Sequence, residues 1–321
     1  MIYKHLGILS VMISFGISFL LNFYFIRIWK NKRNIFIDYP DNRKKHGEPT
    51  LLLGGSAIFI SYIFFLLILR PFDSLKMIGI IISATIIFFT GLVDDYLKSK
   101  HTELKIKYKI LGIFTSTFIS VISGVGISHI TIPFTSILIN LDVTSEILVS
   151  FLWIFSIICL INFIDGMDAL AGSMSIIFCF GLIVGSIYFN KMECTFLLIG
   201  LICSMFGFLL YNFRPAKIFM GDSGSMFIGY VISLISIEGY LKSVVFKVNI
   251  LPIIIMLVPI IDNIRVFVQR ALQGKKVYLA DRLQIHLYLK DKGVSEFKIY
   301  LILVLSSILC ILMEFVLLIY R

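Results

Sequence analysis

The side chains best suited to chemistry in this chain stand where its apolar stretches end. They are nine acidic or amide groups, Asp38, Asp94, Asp95, Asn162, Asp165, Asp168, Asp222, Asp262 and Asp281. A carboxylate beside hydrocarbon is costly and is kept mainly where it pairs, binds a cation or contacts a polar substrate. Carboxylate and amide oxygens are also ligands for hard divalent cations. Their positions predict that all nine lie on one membrane face, which indicates a metal-assisted active site.

The composition predicts the scaffold that must position these groups. With 59% hydrophobic residues, 15% charged residues and a mean hydropathy of +0.98, the 321-residue chain is not a soluble globule. About 20 apolar residues cross a bilayer. We therefore expect an all-α polytopic integral membrane protein, with a single membrane-embedded domain over residues 1–321 and about ten transmembrane helices. The predicted spans run near 6–26, 51–69, 76–93, 110–127, 145–161, 170–189, 194–212, 224–241, 248–268 and 298–320.

The distribution of Lys and Arg predicts the orientation of the spans. Most of the 29 basic residues fall in the same loops as the acidic groups, and few fall in the opposite loops. Short cytoplasmic loops carry such an excess of positive charge. We therefore expect the acidic loops to face the cytoplasm and both termini to be extracytoplasmic. Among the opposite loops, residues 128–144 alternate in part and predict a small hairpin.

The net charge of +10 has a general and a local interpretation. In general, it favours contact with anionic membrane lipids. Locally, the first loop gathers Arg43, Lys44, Lys45 and His46, donors that a phosphorylated substrate would need. Nucleic-acid binding is not expected, because no aromatic-interleaved basic stretch is present.

The acidic residues of the first two cytoplasmic loops could have a structural role instead of a role in the active site. Asp94 and Asp95 are adjacent at the end of the third span, where like charges cost energy unless a cation relieves them. A hydrophilic stop to the helix explains such a pair as well. Asp38 lies in a loop with four basic side chains, and an ion pair within that loop is its alternative.

The later loops add further candidates. Asn162, Asp165 and Asp168 are spaced three residues apart, so neighbouring pairs share a face of a helical turn. Asp222 precedes the eighth span, where a helix N-terminus suits an anion or a metal-bound phosphate. Capping of that helix by Asp222 itself, or by Ser223, is the structural alternative. In the last loop, Asp281, Arg282, Gln284 and His286 follow a basic segment.

Five of these segments together resemble a known family. They read PDNRKKHGEP followed by GG, GLVDDYLK, NFIDGMDALAG, KIFMGDSGS and VPIIDN with ADRLQIH. In this order and spacing they resemble the polyprenyl-phosphate N-acetylhexosamine-1-phosphate transferases. The similarity covers most of the chain and is greatest to the bacterial undecaprenyl-phosphate GlcNAc-1-phosphate transferases. Each motif is moderately specific, and the set of five is strong.

The resemblance implies a reaction and its partners. A sugar 1-phosphate would pass from a UDP-N-acetylhexosamine to undecaprenyl phosphate, with release of UMP and a need for Mg2+ or Mn2+. The product would start a lipid-linked cell-surface glycan of the O-antigen, common-antigen, capsule or teichoic-acid type. The enzyme would lie in the bacterial cytoplasmic membrane, as a monomer or as a homodimer.

The resemblance also implies roles for individual residues. The metal would be held by Asp222 and Asn162. Asp94 and Asp95 would be the catalytic pair, which orients or deprotonates the lipid phosphate, and Asp168 would contact the uracil edge. The implied substrate-binding residues are Asp38, Lys44, Lys45, His46, Lys107, Asp165, Asp168, Arg282 and His286.

The chain departs from the family pattern at two places. Gln284 and Leu287 stand where the family often has histidines around His286, and Ala169 stands where glycine is common. The first departure leaves open whether the sugar is GlcNAc or another N-acetylated hexosamine or deoxysugar. The same departure leaves a further alternative, that the chain is an inactive member of the family.

A membrane transporter is the alternative from another class. That function predicts ionisable residues near the bilayer midplane and two repeated halves. The interiors of the predicted spans are nearly free of charge apart from Glu238, near the outer end of the eighth, and Glu314, in the tenth. The sequence therefore favours the enzyme.

Overall fold

The protein is built almost entirely from helices. The computed structural model describes residues 2–29, 35–39, 49–131, 137–242, 246–274 and 283–319. The helices in this part of the chain are α1 (Ile2–Trp29), α2 (Gly54–Leu69), α3 (Ser74–Lys98), α4 (Ile106–Ile122), α5 (Val143–Ile164), α6 (Leu170–Tyr188), α7 (Met192–Asn212), α8 (Gly221–Ser236), a π-helix (Ile237–Leu241), α9 (Phe246–Ile255), α10 (Leu257–Leu272), α11 (Ile285–Asp291) and α12 (Glu296–Ile319). The strands are β1 (Ile37–Asp38), β2 (Thr50–Leu51), β3 (His129–Thr131) and β4 (Leu138–Asn140).

The prediction of a multi-pass, all-α membrane protein is confirmed. Seven of the described helical segments are long and apolar enough to cross a membrane: most of α1, then α3, α5, α6, α7, α8 with the π-helix, and α12. The predicted number of ten is not reached by this measure. The helices α2 and α4 fall short, with 16 and 17 residues.

The ninth predicted span is divided. Helix α9 ends at Ile255, and α10 begins at Leu257 after Met256. Pro259 has no N–H to donate to the carbonyl of Ile255, so the helical ladder is broken at this point. Two helices therefore replace one continuous span.

Helix α8 forms the centre of the bundle. Every residue from Gly221 to Ser236 is buried, and the helix packs against α2, α3 and α5. Apart from Asp222 the helix carries no charged side chain, and its serine hydroxyls donate hydrogen bonds within the protein, so it can be buried on every side. Its first turn consequently lies among the ends of its neighbours, which brings chemically active groups from several elements together.

Glycine permits the closest of these approaches. A β-carbon at Gly91 of α3 would lie 2.5 Å from the carbonyl oxygen of Asp222 and 2.5 Å from the Cα atom of Ser223. A β-carbon at Gly55 of α2 would lie 2.6 Å from the Cα atom of Gly224. These neighbours are backbone atoms, which cannot rotate away. The start of α8 is therefore held directly against the backbones of α2 and α3.

Gly91→Ala is expected to destabilise the protein by about 1–3 kcal/mol, because the added methyl group pushes α3 away from α8. The temperature of unfolding of the detergent-solubilised protein measures this effect. Gly16→Ala in α1 is the matched control, since a β-carbon at Gly16 meets no atom within 4 Å. Equal melting temperatures for the two variants would contradict the close approach of α3 and α8.

Two short antiparallel pairs of strands lie outside the helices. Strand β1 pairs with β2, with Asp38 opposite Thr50, and Leu51 forms a further bridge to Ile218. Strands β3 and β4 pair from His129 opposite Asn140 to Thr131 opposite Leu138. The hairpin predicted for residues 128–144 is therefore confirmed.

Glu238 and Glu314 have different environments. Glu238, in the π-helix, accepts hydrogen bonds from Lys76 at 2.5 Å and from Lys242 at 2.6 Å. Glu314 of α12 is fully buried, and neither of its carboxyl oxygens has a hydrogen-bond partner within the described part of the chain. Glu238 therefore joins the ends of α3 and the π-helix, whereas Glu314 is isolated within the bundle.

Candidate functional site

Three helices contribute charged side chains to one cluster. Asp94 and Asp95 lie near the end of α3, and Asp222 lies in the first turn of α8. Asp94 and Asp95 are fully buried, and Asp222 is 9% exposed. Lys109 in the first turn of α4 faces them. We call Asp94, Asp222, Lys98 and Lys109 the ion cluster.

Each lysine of the ion cluster bridges both carboxylates. The Lys98 ammonium nitrogen lies 2.9 Å from Asp94 Oδ2 and 2.6 Å from Asp222 Oδ1. The Lys109 nitrogen lies 2.9 Å from Asp94 Oδ2 and 2.7 Å from Asp222 Oδ2. Two positive and two negative charges therefore compensate each other, which offsets the cost of removing them from water.

Asp95 has a different set of contacts. Its carboxylate accepts hydrogen bonds from the backbone N–H of Asp222 at 2.8 Å and of Ser223 at 2.9 Å, and from the Ser223 hydroxyl at 2.6 Å. It thus caps the N-terminus of α8 from another helix, where the helix dipole favours a negative charge. Neither Asp222 nor Ser223 caps the helix, so the alternative of a local cap is wrong.

Asn162 lies beside the same helix. Its side-chain nitrogen donates to Ser225 Oγ at 2.9 Å, and Ser225 Oγ donates to the Gly221 carbonyl at 3.0 Å. Ser225 follows Asp222 by three residues, which is nearly one helical turn. The structure therefore brings the two predicted metal ligands to the first turns of α8.

The segment after α5 is joined to the segment before α8. Asp168 Oδ2 accepts a hydrogen bond from the Ala216 N–H at 3.1 Å. Asn212 connects the same two segments, since it accepts from the Ala169 N–H at 3.0 Å and donates to the Ile218 carbonyl at 2.8 Å. Asp165 and Asp168 are both partly exposed, so solvent can reach them.

The departure at Ala169 has a backbone explanation. Ala169 precedes α6 with φ of +63° and ψ of −10°, in the left-handed region. Glycine adopts this conformation without strain, whereas an alanine there costs about 1–2 kcal/mol. The glycine common at this place in the family pattern therefore matches a conformational requirement of the turn.

His286 faces the turn that carries Asp165. It is 3% exposed, and its Nε2 lies against Gly166, where a β-carbon would collide with it. This nitrogen has no hydrogen-bond partner among the residues that the structure describes. Burial lowers the pKa of His286 to about 4. At neutral pH the imidazole is therefore uncharged, and its Nε2 is a buried polar atom without a partner in the described part of the chain.

Asp262 positions His286 through the backbone. Its Oδ2 accepts from the Ile285 N–H at 3.0 Å, at the start of α11. Its Oδ1 accepts from Arg265 Nη2 at 2.7 Å. The acidic residue of the VPIIDN segment therefore anchors the helix on which His286 lies.

The remaining predicted residues fall into two groups. Lys44, Lys45, His46, Asp281 and Arg282 lie outside the described residues. Asp38 is buried in β1, and Lys107 is exposed, with its ammonium 4.9 Å from the centre of the Tyr108 ring. These assignments to substrate stay predictions.

Sequence reasoning missed Lys98 and Lys109 as members of the site. The spacing of Asp94 and Lys98 is i,i+4, which is a recognisable signal for an ion pair on one helix face. Lys109 has no such signal, because its approach depends on the turn between α3 and α4.

The donor chemistry of the ion cluster fits a hard divalent cation. Asp94 and Asp222 offer carboxylate oxygens, the ligands that Mg2+ and Mn2+ prefer. Two ammonium groups already bridge them, so the position attracts positive charge. No group of three or more His, Cys, Asp or Glu side chains in the described ranges is arranged to hold a metal ion alone. An amide such as Asn162, or substrate oxygens, would therefore complete a ligand set.

Comparison with known proteins gives one family. Residues 77–240 match glycosyl transferase family 4. The chain is similar to the probable undecaprenyl-phosphate N-acetylglucosaminyl 1-phosphate transferase of Bacillus subtilis, 35% identical over 282 residues that cover 87% of this chain and 77% of that protein. It is also similar to the decaprenyl-phosphate N-acetylglucosaminephosphotransferase of Mycobacterium leprae, 28% identical, with coverages of 84% and 73%. The phospho-N-acetylmuramoyl-pentapeptide-transferase of Prochlorococcus marinus is 31% identical, with coverages of 92% and 91%.

Proposed function

Because the chain belongs to glycosyl transferase family 4, we propose that it transfers N-acetylglucosamine 1-phosphate from UDP-GlcNAc to undecaprenyl phosphate and releases UMP. Another UDP-N-acetylhexosamine is the alternative donor. An oxygen of the lipid phosphate attacks the β-phosphorus of the UDP-sugar, and the bond from that phosphorus to the bridging oxygen breaks. The bridging oxygen leaves on UMP.

The observation that carries this proposal is the ion cluster at the end of the membrane helices. One substrate is a water-soluble nucleotide and the other a lipid phosphate at the bilayer surface, so their meeting place must lie where spans meet water. Asp94 and Asp222 lie at helix ends of this kind. Lys98 and Lys109 supply positive charge for phosphate oxygens, and such charge stabilises a phosphoryl transfer.

We assign the divalent cation, Mg2+ or Mn2+, to Asp222 and Asn162. When bound, such an ion neutralises the diphosphate and the charge that develops on departing UMP. Asp94 orients the lipid phosphate. A phosphate monoester is largely ionised at neutral pH, so positioning contributes more than removal of a proton.

The protein groups around the turn after α5 would bind the donor. We assign Asp168 to the uracil edge and Asp165 to the nucleotide nearby. His286 is uncharged at neutral pH, and its Nε2 beside Gly166 has no hydrogen-bond partner among the described residues, so we assign it a hydrogen bond to a sugar hydroxyl or acetamido group. Gln284 and Leu287 stand beside it where the family often has histidines, so we assign recognition of the sugar to this segment.

We place the enzyme in the bacterial cytoplasmic membrane, with the ion cluster facing the cytoplasm and both termini outside. In this orientation the excess of Lys and Arg lies inside. The mass of the detergent-solubilised complex distinguishes a monomer from a homodimer. The lipid-linked product would begin a cell-surface polymer.

Release of UMP tests the function directly. The purified protein with undecaprenyl phosphate, UDP-GlcNAc and Mg2+ or Mn2+ is expected to release UMP and to form an equal amount of lipid-linked sugar pyrophosphate. EDTA is expected to stop both. Omission of the lipid phosphate is the control for plain hydrolysis. A panel of UDP-N-acetylhexosamines identifies the preferred sugar, and absence of transfer with every donor would contradict the proposal.

A further inference from the structure

The aspartate oxygens at the start of α8 are already occupied by protein donors. In the ion cluster, Asp94 Oδ1 accepts from the Leu104 N–H at 2.7 Å, and its Oδ2 contacts both lysines. Asp222 Oδ1 contacts Lys98 and Oδ2 contacts Lys109. Both oxygens of Asp95 are held by the first turn of α8. Each carboxylate oxygen of Asp94, Asp95 and Asp222 therefore has a protein donor within 3 Å.

This occupancy conflicts with the binding of a divalent cation in the observed arrangement. A cation bound to Asp222 would lie within a few ångströms of two ammonium groups, and like charges at such distances repel strongly where water is scarce. Asp94 is fully buried and the Asp222 side chain is 12% exposed, so screening by solvent is limited. At least one ammonium group has to withdraw before the cation can bind.

The lysines are the mobile partners in this exchange. Their side chains are 25% and 26% exposed, and each has a long flexible stem. Asp94 and Asp222, in contrast, are short side chains that are themselves buried. Lys98 and Lys109 also start from different helices, α3 and α4, so one of them can leave while the other remains.

We propose that Lys98 and Lys109, which both contact Asp222, compete for this carboxylate with the divalent cation that Asp222 and Asn162 would hold. The inference rests on the proposed function, because it concerns the same metal site. The lysines keep the buried carboxylates neutralised while no metal is present, and they weaken metal binding in return. A lysine released by the cation stays beside the cluster, within reach of a substrate phosphate.

Binding of Mn2+ alone to the purified protein tests the competition. Lys98→Gln and Lys109→Gln are each expected to bind Mn2+ about tenfold more tightly than the parent protein, measured from the free Mn2+ signal in electron paramagnetic resonance. Mn2+ should also raise the melting temperature of each variant more than that of the parent. Lys100→Gln is the matched control, because the Lys100 ammonium lies over the Tyr96 ring at 4.5 Å and its removal should leave the affinity unchanged.

A second measurement uses the unchanged protein and does not depend on the folding of a variant. Mn2+ is expected to increase the labelling of Lys98 or Lys109 by an amine-reactive reagent, read by mass spectrometry, with Lys100 as the internal reference. Unchanged or weaker Mn2+ affinity in both variants, or unchanged labelling in the parent, overturns the competition. Transfer to undecaprenyl phosphate is measured separately, so UMP release that persists in that case leaves the proposed function standing.

Discussion

Asp222→Asn is expected to lower the rate of UMP release by about a thousandfold, the scale seen when one preorganised charge is removed from a reaction centre. The carboxylate contacts Lys98 and Lys109 at 2.6 and 2.7 Å and is the proposed metal ligand. The amide has nearly the same shape but no charge, so it binds a divalent cation weakly. The rate of UMP release at saturating substrates measures the effect.

The fold of the Asp222→Asn variant is expected to survive, because Asp95 still caps α8 through backbone groups that this substitution retains, and the partly exposed Lys98 and Lys109 side chains can turn to water. Its elution in size-exclusion chromatography should match that of the parent protein. Asp142→Asn is the matched control, an exposed N-cap of α5 far along the chain from the cluster. Normal turnover by Asp222→Asn would remove the metal assignment, whereas loss of turnover by both variants would indicate a general effect of charge.

Asp95→Ala should destabilise the protein by about 3–5 kcal/mol, because the buried start of α8 loses the acceptor for three hydrogen bonds. Thermal unfolding in detergent measures this loss. Turnover should fall together with stability, since the same helix end carries Asp222.

Ser223→Ala separates the two roles of Asp95. This variant removes one donor and leaves both backbone hydrogen bonds in place, so its cost should be about 1 kcal/mol. If Asp95→Ala instead melts like the parent protein while turnover disappears, the carboxylate acts on substrate, as predicted from the sequence, and its capping contacts contribute little.

The sequence was sufficient to predict the membrane class and the gathering of acidic groups at one end of the bundle. Asp94, Asp95 and Asp222 could be predicted together because each stands at the end of an apolar stretch, and helix ends on one membrane face lie close. The separate roles of Asp94 and Asp95 could not be predicted. Adjacent residues on a helix point about 100° apart, and only the packing of α8 decides which carboxylate meets its amides.

Three further findings could not be predicted from composition: the division of the ninth span, the conformation at Ala169 and the place of Lys109. The division of the ninth span follows from Pro259, but a count of apolar residues passes over it. Ala169 could be recognised as a departure, whereas the reason for it is a positive φ angle that becomes apparent only in the folded turn. Lys109 joins the ion cluster through tertiary packing, so no local pattern predicts it.

The donors to Asp95 have a consequence for the order of events during synthesis. The partners of Asp94, Lys98 and Lys109, follow it by only 4 and 15 positions. A hairpin of α3 and α4 can therefore form these ion pairs soon after both helices leave the ribosome. Asp95 depends on amides 127 and 128 positions later. Until α8 has been synthesised, the Asp95 carboxylate lacks all three of these donors, so this end of α3 cannot be buried as it is in the finished bundle. Completion of the nascent bundle therefore waits for the eighth helix.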